Sequence, residues 1–80
     1  MAQHDIVSPL PGTFYRRSSP DAAPYVEVGT SVDNGAVIGL VEVMKQFSDV
    51  ETSVAGRITE ILIDDGEPVD AGQVVMRLEA

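Results

Sequence analysis

The 80-residue sequence contains no cysteine and no tryptophan, and it has a single lysine, Lys45. Without cysteine the chain can form neither a disulfide nor a thiolate zinc site, and thiol catalysis is excluded. No stretch approaches the ~20 apolar residues of a membrane span, and the N-terminal residues lack the basic start and apolar run of a secretory signal. We therefore expect a cytoplasmic protein, because a chain without cysteine suits a reducing compartment.

Basic residues are also scarce, since 5 Lys and Arg stand against 13 Asp and Glu, giving a formal net charge of −8. Such a surface does not attract phosphate backbones or anionic headgroups, so neither nucleic acid nor membrane is expected as a partner. We interpret the acidity as a source of solubility. A chain of this length buries only about 60% of the surface that it exposes when unfolded, so a deep catalytic pocket is not expected.

Short runs rich in valine, isoleucine and threonine alternate with turn residues, and no long segment has helical periodicity. The predicted strands include 37–43 (VIGLVEV), 56–63 (GRITEILI, with one slip in its alternation) and 74–79 (VVMRLE). DNG at 33–35, before the first of these strands, and DDG at 64–66, between the last two, are turn signals in which glycine supplies positive φ. The pattern predicts an all-β fold of roughly eight short strands.

The chain contains an internal repeat. GTSVDNGAVIGLVE (29–42) aligns with GEPVDAGQVVMRLE (66–79) at an offset of 37 residues, and SPLPG (8–12) aligns with TSVAG (52–56) at an offset of 44. The two offsets differ by seven residues, so the first half holds an insertion of about that length. We assign it to residues 16–24, RRSSPDAAP, within which the seven extra residues fall.

Two similar β units bury their apolar faces by packing together around a pseudo-two-fold axis. The predicted fold is therefore a flattened β-barrel or sandwich of two four-stranded antiparallel sheets. We expect one domain over residues 1–80, with half-repeats at about 6–43 and 46–79 joined by a hairpin at 43–47.

Met44 and Lys45 form the predicted two-residue turn of that hairpin. Such turns normally take Asn-Gly or Asp-Gly because the favoured turn types need positive φ. A non-glycine residue in that conformation costs on the order of 1 kcal/mol. Poor turn chemistry in an otherwise regular repeat indicates a functional site, so the only lysine amine of the chain is the candidate functional group.

The sequence around this turn, Glu42-Val43-Met44-Lys45-Gln46, resembles the Glu-Ala-Met-Lys-Met signature of the biotinyl domains of biotin-dependent carboxylases. Val43 replaces the usual alanine, and Gln46 replaces the second methionine. SPLPGTFYR (8–16) is similar to the opening strand of the carriers of bacterial acetyl-CoA carboxylases, and SSPDAAPYVEVG (18–29) resembles their thumb, an inserted loop that reaches toward biotin. The resemblance covers nearly the whole chain.

The resemblance implies a non-catalytic carrier with biotin attached covalently to Lys45 through an amide, in a hairpin that also includes Val43, Met44 and Gln46. The carrier would shuttle carboxybiotin from a biotin carboxylase to a carboxyltransferase, and acetyl-CoA carboxylase in fatty acid synthesis is the expected enzyme. A biotin protein ligase is the third implied partner, and no metal is implied. The thumb residues expected to approach biotin are Ser18, Ser19, Pro20, Asp21, Ala22 and Ala23.

Two other functions remain open at this stage. Lipoyl carriers of 2-oxo acid dehydrogenases or of the glycine cleavage system share the fold and the lysine, but they usually have Asp before it and Ala after it. An interaction barrel without modification is the second alternative. The related carriers commonly have an N-terminal region and a Pro/Ala-rich linker. The 80 residues show neither, so we expect either a free-standing carrier or an isolated domain.

The remaining candidate residues are given structural interpretations. His4 has no catalytic partner at a recognisable spacing, Asp64-Asp65 is expected to be a turn rather than a cation site, and Arg16-Arg17 is expected to be a solvated strand end. The aromatic residues are too few for a nucleic-acid stacking platform and are expected to pack in the core or against the thumb. They are Phe14, Tyr15, Tyr25 and Phe47.

Overall fold

The computed structural model describes residues 2–80 and contains eight β-strands. The strands are β1 Gln3–Val7, β2 Gly12–Tyr15, β3 Ser31–Val32, β4 Val37–Val43, β5 Gln46–Glu51, β6 Gly56–Ile61, β7 Glu67–Val69 and β8 Val74–Glu79. The described residues include no helix, and hence none long and apolar enough to cross a membrane. The bounds of β4 and β8 are those predicted, whereas β6 ends two residues before the predicted position 63.

The strands form two four-stranded sheets, ordered β1-β8-β6-β3 and β5-β4-β2-β7, in which all neighbouring strands are antiparallel. Exchanging β1–β4 with β5–β8 converts one strand order into the other. The molecule measures 38 × 27 × 19 Å along its principal axes, so it is flattened. The predicted fold, with two four-stranded antiparallel sheets and a quasi-two-fold internal repeat, is confirmed.

Equivalent hydrogen bonds accompany the repeat. Ser8 and Thr52 are both buried, and each hydroxyl donates to the carbonyl two residues further along the chain, at 2.6 and 2.7 Å. Their own carbonyls accept hydrogen bonds from the amides of Gly72 and Gly35, both at 2.8 Å. These bonds satisfy buried polar groups that would otherwise destabilise the fold, and they tie each half of the chain to a turn.

Gly12 and Gly56, also equivalent in the repeat, allow close approach of neighbouring strands. A Cβ atom at Gly12 would overlap the carbonyl oxygen of Glu42, and one at Gly56 would lie 2.5 Å from the carbonyl oxygen of Glu79. Only glycine therefore fits at the start of β2 and β6 without displacing the paired strand.

The slip in the alternation of residues 56–63 corresponds to an irregularity between Ile58 and Glu60, where β6 changes register against β8.

The core lies between the two sheets. The fully buried apolar residues are Phe14, Ile38, Val41, Val50, Ile58, Val75, Met76 and Leu78.

Candidate functional site

The β4–β5 hairpin turns over two residues. Val43 and Gln46 pair directly at the ends of their strands, and between them Met44 has φ 51° and Lys45 has φ 67°. Positive φ at both central positions defines a type I′ turn, whose twist matches that of the flanking strands. Across residues 2–80 these are the two non-glycine residues with positive φ. The backbone strain of the described chain is thus concentrated at the candidate lysine.

Both side chains of the turn are exposed, with Met44 91% accessible to solvent. The salt bridges found among residues 2–80 all involve arginine, and none involves the Lys45 ammonium group. The amine therefore stands at the end of a short, conformationally restricted turn, where an enzyme active site can reach it. Such an exposed primary amine can accept an acyl group.

The 16–24 loop is closed by hydrogen bonds at its base. The Tyr25 amide donates to the Arg16 carbonyl at 2.8 Å, and the Arg16 amide donates to Asp65 Oδ1 at 2.7 Å. The guanidinium group of Arg16 donates to the Val26 carbonyl at 3.2 Å, and its side chain is only 20% exposed. The expectation of a solvated strand end at Arg16-Arg17 is therefore wrong, because these side chains hold the loop together.

Within the loop, hydrogen bonds of Arg17 and Ala22 connect its two sides. Arg17 Nη1 donates to the Ala22 carbonyl at 3.3 Å, and the Ala22 amide donates to the Ser19 carbonyl at 3.1 Å. Asp21 and Ala23 are exposed. These bonds shape residues 17–22 into a folded turn rather than an extended segment.

A cleft of about 280 Å³ separates this loop from the hairpin. The Tyr15 and Phe47 rings meet there with centroids 6.2 Å apart and planes tilted by 51°. Phe47 is 59% exposed and lies on β5, two residues after Lys45. The cleft is lined by Tyr15, Arg17, Ser18, Ser19, Pro20, Phe47 and Asp65. It offers an aromatic wall and several polar groups on one flank of the hairpin.

Tyr15 also connects the cleft to the hairpin strand. Its hydroxyl donates to Glu42 Oε1 at 3.1 Å. This hydrogen bond raises the pKa of Tyr15 above its ordinary value, and partial burial and the negative charges of Glu42 and Asp65 act in the same direction. The phenol therefore stays protonated and can continue to donate the bond.

A second, shallower groove of about 390 Å³ lies on the opposite flank of the hairpin. Gln46 and Ser48 line it, and successive side chains of a strand point to opposite faces, so Phe47 between them faces the other cleft. Leu10, Val43 and Met44 complete the lining. The turn therefore has one flank with an aromatic wall, and a second flank, called here the aliphatic groove after Leu10 and Val43, where Gln46 and Ser48 add polar groups.

The structure brings together only part of the predicted site. Val43, Met44, Lys45 and Gln46 form the hairpin end, and residues 18–20 line the first cleft, whereas residues 21–23 do not line it. Sequence reasoning missed Leu10 and Asp65, and it did not assign Tyr15 and Phe47 to the site. The alternation along β5 could have placed Phe47 there. No group of three or more His, Asp or Glu side chains suited to a metal ion occurs among residues 2–80.

Residues 4–78 match the model of the biotin/lipoyl family, described as "Biotin-requiring enzyme". The chain belongs to this family. The resemblance inferred from the hairpin and the loop is therefore confirmed. Since the matched range includes both sheets and the hairpin, the family assignment covers every element described above.

Relatives within the biotin/lipoyl family include three named biotin carboxyl carrier protein of acetyl-CoA carboxylase. The chain is 40% identical to that of Nostoc sp. over 94% of its length, 47% identical to that of Pseudomonas aeruginosa over 82%, and 44% identical to that of Chlamydia trachomatis over 96%. It covers 41%, 42% and 48% of these proteins, so it spans less than half the length of each.

Two solved structures share the fold of this biotin/lipoyl domain. Urea carboxylase of Kluyveromyces lactis matches 99% of the chain with a TM-score of 0.79 and 24% identity, using 6% of its own chain. An aspartoacylase family protein of Mesorhizobium loti matches 92% with a TM-score of 0.71 and 22% identity, using 22% of its own chain. At these identities the likeness is one of fold.

Proposed function

We propose that this chain is a biotin carboxyl carrier domain with biotin attached through an amide to the Lys45 side chain. The observation that carries the proposal is the exposed position of the only lysine, on a positive-φ turn, in a member of the biotin/lipoyl family. The names of the relatives, biotin carboxyl carrier proteins at 40–47% identity, support biotin as the attached group.

The residues present suit a biotinyl group on Lys45. The amine is exposed and free of the salt bridges found among residues 2–80, and the adjacent cleft of about 280 Å³ combines the Tyr15–Phe47 aromatic wall with the polar groups of Ser18 and Ser19. When bound, biotin supplies a nitrogen that accepts a carboxyl group and gives it up again. The protein contributes the position of the group rather than acid–base chemistry.

The chain's own residues act as a stiff platform for that group. The two-residue turn is held by the Val43–Gln46 pair and by the core residues behind it. A short rigid tip lets two different active sites take the same group in turn, and attachment to the platform raises the local concentration of the group at each site. We therefore assign the domain a non-catalytic carrier role.

The proposed partners follow from this role. They are a biotin carboxylase, a carboxyltransferase that acts on acetyl-CoA in fatty acid synthesis, and a biotin protein ligase, all in the cytoplasm. We further propose that residues 1–80 form one carrier domain with half-repeats at 6–43 and 46–79 and with the hairpin at 43–47. The 16–24 loop would be its thumb, with residues 18–23 nearest to biotin.

Intact-mass measurement after co-expression with a biotin protein ligase tests the proposal. The expected result is a gain of one biotinyl group per chain, mapped to Lys45. A parallel co-expression with a lipoate ligase supplies the control for the other modification in this family. Lipoylation without biotinylation would support the lipoyl alternative, and no modification by either ligase would support an interaction barrel.

A further inference from the structure

The sulfur atoms of this chain differ sharply in accessibility. There is no cysteine, and of the two methionines within residues 2–80, Met76 is fully buried in the core while Met44 is 91% exposed. Oxidation of methionine follows the access of the oxidant to its thioether. Met44 is therefore the one sulfur of the described chain that a dissolved oxidant can reach while the protein stays folded.

We propose that Met44 is an oxidation site through which hydroperoxides control the modification of Lys45. The thioether sulfur forms a bond to one oxygen of hydrogen peroxide, the O–O bond breaks, and the proton of the transferred oxygen passes to the departing hydroxide, so the products are methionine sulfoxide and water. Sulfur loses two electrons and the peroxide gains them, so no further reactant is needed. Methionine sulfoxide reductases reverse the reaction, which allows it to work as a switch.

The position of Met44 determines what the added oxygen changes. Its side chain lines the aliphatic groove with Leu10 and Val43, and it directly precedes Lys45. A sulfoxide places a strong dipole beside the aliphatic side chains of Leu10 and Val43, so an enzyme surface that packs against this part of the groove must desolvate it. Because Met44 is almost fully exposed, the folded state loses little, and the effect falls on recognition rather than on stability.

This inference rests on the proposed function, because it concerns acceptance of biotin by Lys45. Peroxide treatment of the whole folded chain, followed by peptide mapping, tests the site itself. We expect one oxygen on Met44 and none on Met76, with Met76 reacting only after addition of denaturant. Peptide mapping reports Met1 separately. Equal oxidation of Met44 and Met76 in the folded protein, or resistance of Met44, would overturn the assignment.

The effect of oxidation on function is measured as the rate at which a biotin protein ligase modifies Lys45, with hydrogen peroxide as the oxidant. The peroxide-treated protein is expected to accept biotin at a rate roughly fivefold or more lower than its untreated form, a factor that corresponds to about 1 kcal/mol of activation free energy. Treatment with both methionine sulfoxide reductases, one for each sulfoxide epimer, should restore the rate. The Met44→Leu variant is the matched control, and its own rate should be unchanged by peroxide.

Three results contradict the switch. They are an unchanged rate after complete oxidation of Met44, a peroxide effect of the same size in Met44→Leu, and a rate that reductase does not restore. If the untreated chain accepts no biotin at all, the proposed function and the switch fail together. Selective oxidation of Met44 in the mapping experiment would then stand as a chemical property without that role.

Discussion

The hydroxyl of Tyr15 donates a hydrogen bond to Glu42 at 3.1 Å, which joins the end of β2 to the strand that carries the hairpin. Tyr15 also contacts Phe47 on β5, so one side chain links three neighbouring strands of the same sheet. We infer that this link fixes the base of the hairpin, and its protonation can be followed directly because the chain has only two tyrosines.

The first prediction concerns that titration. In a Tyr25→Phe background, Tyr15 should titrate above the ordinary value of about 10, because its bond to Glu42 and the nearby negative charges favour the neutral phenol. The ultraviolet absorbance of the phenolate measures this. Glu42→Gln should lower the pKa toward the ordinary value, and Asp65→Asn should have a smaller effect because Asp65 acts only through its charge.

The sign of the pH dependence of stability follows from the raised pKa. The contribution of Tyr15 to stability is fully present below about pH 10, the ordinary tyrosine value, and is lost as the pH rises through the raised folded-state value. Tyr15→Phe should remove this alkaline component from the pH profile of unfolding. Titration of Tyr15 below its ordinary value would contradict the hydrogen bond.

The second prediction is that the 16–24 loop is dispensable for folding. Its base is closed by the bond from Tyr25 to Arg16, so the chain ends left by deleting Ser18–Ala23 are already close together. We expect the deletion variant to unfold cooperatively in urea with the slope of the parent protein. A variant that does not fold would show that the loop is part of the structural core.

The third prediction concerns strain in the turn. Replacing Met44-Lys45 by Asn-Gly supplies the residues that positive φ favours at both positions. The double variant should be more stable than the parent by on the order of 1 kcal/mol, measured by urea unfolding, and it should accept no biotin. Lower stability of the variant would mean that Met44 and Lys45 contribute folded-state contacts that outweigh the strain.

The fourth prediction concerns the residue after the lysine. Gln46 lines the aliphatic groove beside Met44, and methionine there restores the signature of the related biotinyl domains. Gln46→Met should therefore accept biotin as fast as the parent or faster in a ligase assay read by intact mass. Val43→Ala, which restores the alanine of the same signature, is the matched comparison variant. A marked loss of rate in Gln46→Met would show that this ligase surface requires the amide.

Much of the fold could be predicted because the repeat can be detected from local sequence features, namely turn residues and short apolar runs. The offsets of 37 and 44 residues located both sets of turns, and the bounds of β4 and β8 followed from their apolar runs. The end of β6 was misplaced by two residues: regular pairing ends at Ile61, although the Leu62 amide still donates to the Val75 carbonyl of β8 at 2.8 Å. The turn that follows is joined to β2 by a bond from the Gly66 amide to the Phe14 carbonyl, between positions far apart in the chain.

The candidate site was less predictable than the fold. Lys45 stood out through its scarcity and its unfavourable turn, which are properties of the sequence alone. The cleft depends on the pairing of β2, β4 and β5, which brings Tyr15 and Phe47 together although they are distant in the chain. The sequence also suggested that Arg16 is solvated, whereas the bond from its guanidinium group to the Val26 carbonyl holds a side chain that is only 20% exposed.

Attachment of biotin to Lys45 is tested most directly by the intact mass of the Lys45→Arg variant after co-expression with a biotin protein ligase. Arginine keeps the positive charge and similar length, but its guanidinium group stays protonated and cannot serve as the acyl acceptor. Stability should change by no more than about 0.5 kcal/mol, since the side chain is exposed. We expect one biotinyl group on the parent chain and none on the variant. Biotin on the Lys45→Arg protein would contradict this expectation, because the chain has no second lysine to receive the group.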